Sequence, residues 1–459
     1  MRARCSTPRT SSAPLTLTLT LILTLTLTLT LTLTRYELGA AFGALLVEQH
    51  PDAPAALLDC LAPGGSPLQN ANAAGALMNL AASSAAVSAD LLSRHAVDRL
   101  IALLASAKTA EQEGDSVAAC HAAGALANLL RDPEAVDTLL GLEKPGGART
   151  MVEALEGETD EASRAACAAL MSAMAGGEAV RATLREEVVE AGGVGFLVQH
   201  LASANLSLRL MACGALLNAT ASAAAAAAVV DASADTKIEG KPTSVPGLEM
   251  LVRQLHEPEP LMRARAAGVL FNVAGFGPDC RLAMLEQKTL AAVVEALAND
   301  AGRGTTVALK HAIEARLAGC LLNAALNPTC RAAIHECGGL KPLIGLLGSS
   351  GPIVLTTAST AIAYLNDKVE HRPGALDSSV RSTDGAGKVT YHKARFHATG
   401  SGPPPPPDPD APADSRPVEP DEGEEAPGTR TKATYGTLLL AKLGATHDSR
   451  SKVSPEPQP

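Results

Sequence analysis

Few groupings in the chain could do chemistry. Cys330, His335 and Cys337 come nearest to a metal site, because thiolate and imidazole are preferred ligands of zinc. They straddle a short helix and the Gly338-Gly339 break that ends it, and a fourth ligand is wanting, so no metal is expected. Cys120 and His121 are sequence neighbours, and adjacent side chains on a helix diverge, so they do not pair a nucleophile with its base. G-x-S-x-G, a Walker-type GK followed by Ser or Thr, H-E-x-x-H and C-x-x-C are all missing from the sequence. Neither an enzyme nor a cofactor is expected. Asn205-Leu-Ser207 and Asn218-Ala-Thr220 match the glycosylation sequon, but the second lies inside a helix where a glycan would clash, and both read as chance.

What recurs is an asparagine. Asn79, Asn128, Asn218, Asn272 and Asn323 occupy the same place in AAGALMNLA, AAGALANLL, ACGALLNAT, AAGVLFNVA and LAGCLLNAA. A primary amide both donates and accepts, so it can satisfy the N–H and C=O of an extended chain laid beside it. Repetition at a fixed pitch then gives register without a sequence code. The competing use is local, an amide satisfying the backbone of its own repeat. Met78, Arg131, Phe271 and Phe276 stand beside this series and would set side-chain preference, although both phenylalanines also read as core.

The elements that carry the asparagines are legible in Arg316 to Leu347. Leu317, Cys320, Leu321 and Ala324 fall at i, i+3, i+4 and i+7, one apolar stripe of a helix that gives out at Asn327-Pro328. Asn suits a cap and Pro a first helical position, so a short helix from Thr329 to Glu336 follows. After Gly338-Gly339, Lys341 to Leu347 supplies another helix. Two eroded copies, AACAALMSA at Ala165 to Ala173 and TASTAIAYL at Thr357 to Leu365, extend the series. Positions 75, 124, 168, 214, 268, 319 and 360 recur about every 47 residues, and a unit of that size buries its stripe only by stacking on its neighbours.

These residues resemble the armadillo family: A-A-G-x-L-x-N-hydrophobic in a third helix, a short helix, then Gly-Gly-hydrophobic before a second helix. The last feature appears at Gly192-Gly193-Val194 and Gly338-Gly339-Leu340. The resemblance covers Tyr36 to Asn366. It implies an all-α, right-handed superhelical solenoid of about seven repeats, the first truncated, spanning 35–366. It also implies that the Asn series faces a concave groove and holds the backbone of a protein or peptide partner. In the importin-alpha branch a Trp stands four residues before the Asn. Here Gly75, Gly124, Gly214, Gly268 and Gly319 stand there and the chain has no Trp, so the pattern is closer to beta-catenin-like and vacuolar-type scaffolds.

Composition agrees with stacked helices. The chain is 46% hydrophobic but only 2% aromatic, so Ala and Leu do the packing, which disfavours a β-sandwich or barrel. A net charge of -10 without basic clusters leaves no footprint for nucleic acid. Nine scattered cysteines on apolar positions read as small buried hydrophobes in a reducing compartment, cytoplasmic and also compatible with the nucleus. A monomer is expected.

Both ends lie outside the repeats. Residues 15 to 34 alternate Leu and Thr, broken once by Ile22 and preceded by Arg2, Arg4 and Arg9. Such alternation is what a CTAACC simple repeat encodes. It is too long for a usual strand, and the competing reading is a membrane anchor or targeting segment over 1–34. Membrane association follows only from that reading. Within the repeats, Ala223 to Ala228 reads as a poly-Ala helix and Asp231 to Pro246 as an inserted loop, with a shorter expansion around Asn299 to Thr306. Residues 367–459 are rich in Pro, Gly, Ser and charge and are expected to be disordered. Pro403 to Pro407 is a polyproline II run. Leu438, Leu439, Leu440 and Leu443, within 434–444, form a possible short binding helix.

Overall fold

The computed structural model describes residues 45 and 47–366, with breaks at 62–65, 108–112, 144–145, 158, 239–240 and 300–303, and also 381–383 and 389–391. The expectations for 1–34, for Pro403 to Pro407 and for the Leu438 to Leu443 island therefore lie outside the described residues. So does most of the expectation for 367–459, where the described residues are two three-residue strands, Arg381–Thr383 and Val389–Tyr391, paired antiparallel.

Helix α1 (Ala53–Asp59) precedes the first long helix, α2 (Pro67–Ser83). Triplets follow. They are α3 (Ala85–Ser93), α4 (Ala96–Ala107) and α5 (Glu113–Leu129), then α6 (Pro133–Leu140), α7 (Gly147–Glu153) and α8 (Asp160–Ala173). Next come α9 (Ala179–Glu190), α10 (Gly193–His200) and α11 (Leu206–Ala219), then α12 (Ala223–Asp231), α13 (Gly247–Leu255) and α14 (Pro260–Gly275). The last two are α15 (Pro278–Glu286), α16 (Thr289–Ala298) and α17 (Val307–Ala324), and α18 (Pro328–Glu336), α19 (Leu340–Gly345) and α20 (Pro352–Asn366).

Like packs on like. The third helices form one wall, α2 against α5, α5 against α8, and so on through α11, α14 and α17 to α20. First helices stack as α6, α9, α12, α15 and α18, and second helices meet as α4 with α7, α7 with α10, α13 with α16 and α16 with α19. The core between the layers is almost wholly Ala, Leu and Val, so the helices approach closely. The first helix α18 starts at a capped residue: Asn327 Oδ1 accepts from Thr329 N at 2.9 Å and Cys330 N at 3.3 Å, with Pro328 in the first turn.

The two glycines before a second helix have different jobs. Gly192 and Gly338 adopt φ of 80° and 74°, where L side chains are strained, and a Cβ on either would meet open space. Gly193 is the reverse: its Cβ would lie 2.8 Å from Val188 Cγ1 and 2.9 Å from Val152 Cγ2. One supplies a left-handed turn and the other lets α10 close onto α9 and α7.

One expectation fails here. The insertion at Asp231 to Pro246 is not a loop: after α12, β1 (Ser233–Ile238) and β2 (Lys241–Pro246) pair antiparallel with Ala234 opposite Val245. Those two residues are buried, and the hairpin packs through β1 on α10 and through both strands on α13. Gln199 on α10 pins it, donating to Asp235 O at 3.0 Å and accepting from Asp235 N at 2.8 Å. An isolated hairpin is marginal, so this one depends on the helices beneath it.

Candidate functional site: the wall of third helices

The wall is built from two rows of cross-repeat hydrogen bonds. In the first, each asparagine amide donates to the carbonyl that precedes the equivalent asparagine one repeat earlier. Asn128 Nδ2 reaches Met78 O at 3.0 Å, Asn218 Nδ2 reaches Met171 O at 2.7 Å, and Asn323 Nδ2 reaches Phe271 O at 3.3 Å. Asn272 Nδ2 is shared between Leu217 O at 3.1 Å and Thr220 Oγ1 at 3.2 Å, and Asn272 is the one buried member of the series. Asn79, half-buried at the start of the wall, makes no such bond among the described residues. These amide N–H groups thus bond across repeats and not within their own. The amide oxygens of Asn128, Asn218, Asn272 and Asn323 take no donor from the described residues.

The second row lies seven residues earlier, two helical turns along the same face. His121 Nδ1 contacts Ala71 O at 2.8 Å, Arg316 Nη1 donates to Ala264 O at 2.6 Å, and Arg265 Nη1 donates to Leu210 O. Alanine (Ala165) and methionine (Met211) hold the same place on α8 and α11. Desolvation lowers the pKa of both arginines, Arg316 to about 10, so both stay cationic at neutral pH.

Between the rows sit the glycines, each where the side chain of a neighbouring repeat occupies the space of a Cβ. A Cβ on Gly214 would stand 2.5 Å from Met171 Sδ of the repeat before and 3.1 Å from Arg265 Cζ of the repeat after. On Gly268 it would meet Leu217 Cδ1 at 2.6 Å and Arg316 at 3.4 Å, on Gly124 Met78 Sδ at 2.4 Å, and on Gly319 the Phe271 ring at 2.7 Å. The eroded repeat follows the rule by exchange: α8 has Ala168 in place of the glycine, and α5 has Ala127 where others carry Met, Leu or Phe. Met78 and Phe271, expected as groove neighbours, therefore seat on the next repeat's glycine and stay half-exposed. Arg131 is exposed, and its carbonyl accepts from Arg181 Nη2 at 2.6 Å. Phe276 caps the end of α14, its N–H donating to Val273 O at 3.2 Å.

The remaining chemistry-bearing residues do not converge. Cys330 Sγ is buried and donates to Arg281 O, His335 Nε2 contacts Leu365 O at 2.7 Å, and Cys337 is exposed. Cys120 Sγ turns to Glu161 O of the following repeat while His121 turns to the preceding one. Asn205 Oδ1 caps α11, accepting from Ser207 N and Leu208 N. Among the described residues no group of three His, Cys, Asp or Glu could hold a metal, and no helix is long and apolar enough to cross a membrane.

Sequence reading missed a set of arginines on the first helices. Arg181 Nη1 donates to Leu130 O, Ser172 O and Ala173 O at 3.1, 2.9 and 2.7 Å, tying the ends of α5 and α8 to α9. Arg281 Nε and Arg331 Nε do the same for Ala274 O and Ala325 O at the ends of α14 and α17. The signal was present: Pro278-Asp-Cys280-Arg281 and Pro328-Thr-Cys330-Arg331 repeat one pattern.

The family profile of the Armadillo/beta-catenin-like repeat matches residues 184–221, which are the end of α9, α10 and α11. Among solved structures, an engineered protein superposes with a TM-score of 0.58 at 24% identity, over 71% of this chain and 71% of its own. A designed armadillo repeat protein gives 0.47 at 19%, over 59% of this chain and 100% of its own. A comparison with curated proteins gives no match. The matched repeat is one of a series built alike, and the chain is an armadillo-repeat solenoid.

Proposed function

We propose that this protein is a non-catalytic scaffold that holds an extended segment of a protein partner along the wall of third helices. One observation carries the reading: four asparagine amides spend an N–H on the neighbouring repeat and keep an oxygen open at repeat pitch. An ordered row of acceptors suits the N–H groups of a bound backbone. The hydrogen bonds that tie each amide to the preceding repeat hold it in place before a partner arrives, which lowers the ordering cost of binding. Around the row, Ala82, Ala175, Ala221 and Gly275 are small and exposed one turn past the amide position, leaving room for a chain to lie close.

The test is selection of random peptides on the purified full chain, followed by Ala221→Trp. That residue is exposed and lies beyond the end of α11, so the bulky replacement obstructs the wall without entering the core. Selected peptides should lose binding to the variant while its helical signal and unfolding midpoint stay unchanged. Peptides that bind the variant as well as the parent would remove the wall from consideration.

A further inference from the structure

The second row of the wall contains an imbalance that the fold does not resolve. Arg265 and Arg316 come from α14 and α17 and lie against Gly214 and Gly268, where a Cβ would stand 3.1 and 3.4 Å from their Cζ atoms. Each has committed Nη1 to a backbone carbonyl of the preceding repeat. Among the described residues neither forms an ion pair. The neighbour that favours their charge is Cys213, whose own pKa is pushed up to about 12 and which is neutral at physiological pH.

Burial disfavours the charge of both guanidiniums, and Arg265 adds to that at Arg316. Arg316 Nε is sealed from solvent with no hydrogen-bond partner. The Nη2 groups have no hydrogen-bond partner among the described residues, and both arginines are partly exposed. The acids closest in sequence on the same repeats are engaged elsewhere: Glu314 pairs with Lys310 and Glu257 with Arg209. A partly buried cation is normally paired with an acid, so two left unpaired on adjacent repeats suit negative charge brought from outside.

We propose that Arg265 and Arg316 form an acid-binding subsite on the wall, which seats Asp or Glu side chains of the partner's extended segment. The proposal rests on the wall-binding reading and names the chemistry of its occupant. Stacked helices lie about 8–10 Å apart, and alternate side chains of an extended chain about 7 Å apart, so acids at i and i+2 suit the two Nη2 groups. Asn272 and Asn323, two helical turns further along the same two helices, would hold the backbone from which those side chains reach back to the arginines. His121, in the same row nearer the start of the wall, gives the row a third polar step.

The experiment measures binding of peptides selected on the full chain, resynthesised with Gln for Glu and Asn for Asp. Variants Arg265→Met and Arg316→Met copy the residue that Met211 already supplies at this place on α11, so the fold accepts them. The selected pool should be rich in alternating acids. Each acid-to-amide change should weaken binding about tenfold or more, and one of the two should have little effect on the Arg316→Met variant while the other has little effect on Arg265→Met. Inorganic phosphate should compete only at salt-like concentrations. Selected peptides that are blocked by Ala221→Trp yet carry no acids would overturn this proposal and leave the wall-binding reading standing. Peptides indifferent to Ala221→Trp would overturn both, and preference for phosphorylated over acidic peptides would overturn the carboxylate subsite.

Discussion

The asparagine series is a structural ladder before it is a binding one, and replacing each member by alanine should reveal a graded cost. Asn79 donates to nothing described, so Asn79→Ala should change stability by less than about 0.5 kcal/mol, as for a surface position. Asn128, Asn218 and Asn323 each lose one hydrogen bond of 3.0, 2.7 and 3.3 Å, about 1 kcal/mol apiece. Asn272 loses two, and Thr220, fully buried, is left with only its own helix carbonyls, so the cost rises to about 2 kcal/mol. Asn218→Asp should be worse than Asn218→Ala, because a carboxylate oxygen would face the Met171 carbonyl where an N–H stood. The assay is urea unfolding followed by far-ultraviolet circular dichroism, where 1 kcal/mol moves the midpoint by about 0.3 M. Equal costs at Asn79 and Asn272 would refute the ladder.

Three further outcomes follow from the packing. Gly192→Asn should be nearly silent because Asn tolerates a φ of 80° in open space, whereas Gly193→Ala should cost about 2 kcal/mol against Val188 and Val152; equal melting shifts would show the two glycines are not distinguished by role. Arg181→Met should cost about 3 kcal/mol by stranding the carbonyls it gathers, with Arg181→Lys recovering only part for want of a planar fork, and a silent Arg181→Met in the same urea series would refute that staple. Stability should fall at alkaline pH. Burial pushes the thiols of Cys213 and Cys320 up to about 12 and Cys280 up to about 11, so the fold keeps protons that the unfolded chain releases from about pH 9, and that stabilisation, complete below pH 9, is lost as pH rises toward 12. A flat profile of unfolding midpoint from pH 8 to 11 would contradict it.

What was legible in the sequence is what repeats locally. The stripe Leu317, Cys320, Leu321 and Ala324 fixes a helix because its period is written within two turns, and Asn327-Pro328 marks the next start for the same reason. The helix around Arg316 nevertheless begins at Val307, well before the stripe, since α17 gains its first turns from packing on α14 and a Thr306 cap that periodicity does not register. The hairpin was hidden because its buried face amounts to Ala234 and Val245 alone; Pro242, Thr243 and Lys237 read as loop. The one available signal was the two-residue gap Glu239-Gly240 between the strands.

The wall's polar rows were illegible for a different reason. A residue's partner there stands about one repeat away, as Asn218 does from Met171, so no window that shows a helix also shows what its side chain bonds to. The glycine column shows how such pairs become readable once the repeat is known. With Met, Leu or Phe on one helix, the next has Gly, and where the knob shrinks to Ala127 the socket fills to Ala168. Volume is held constant across the joint, as close-packed interiors require. Arg265 and Arg316 break that economy: the same place accepts Met211 and Ala165 without loss of the fold. A residue that packing does not demand, that charge does not balance and that desolvation penalises is kept for what it meets from outside, which is why the search for a partner belongs at α11, α14 and α17.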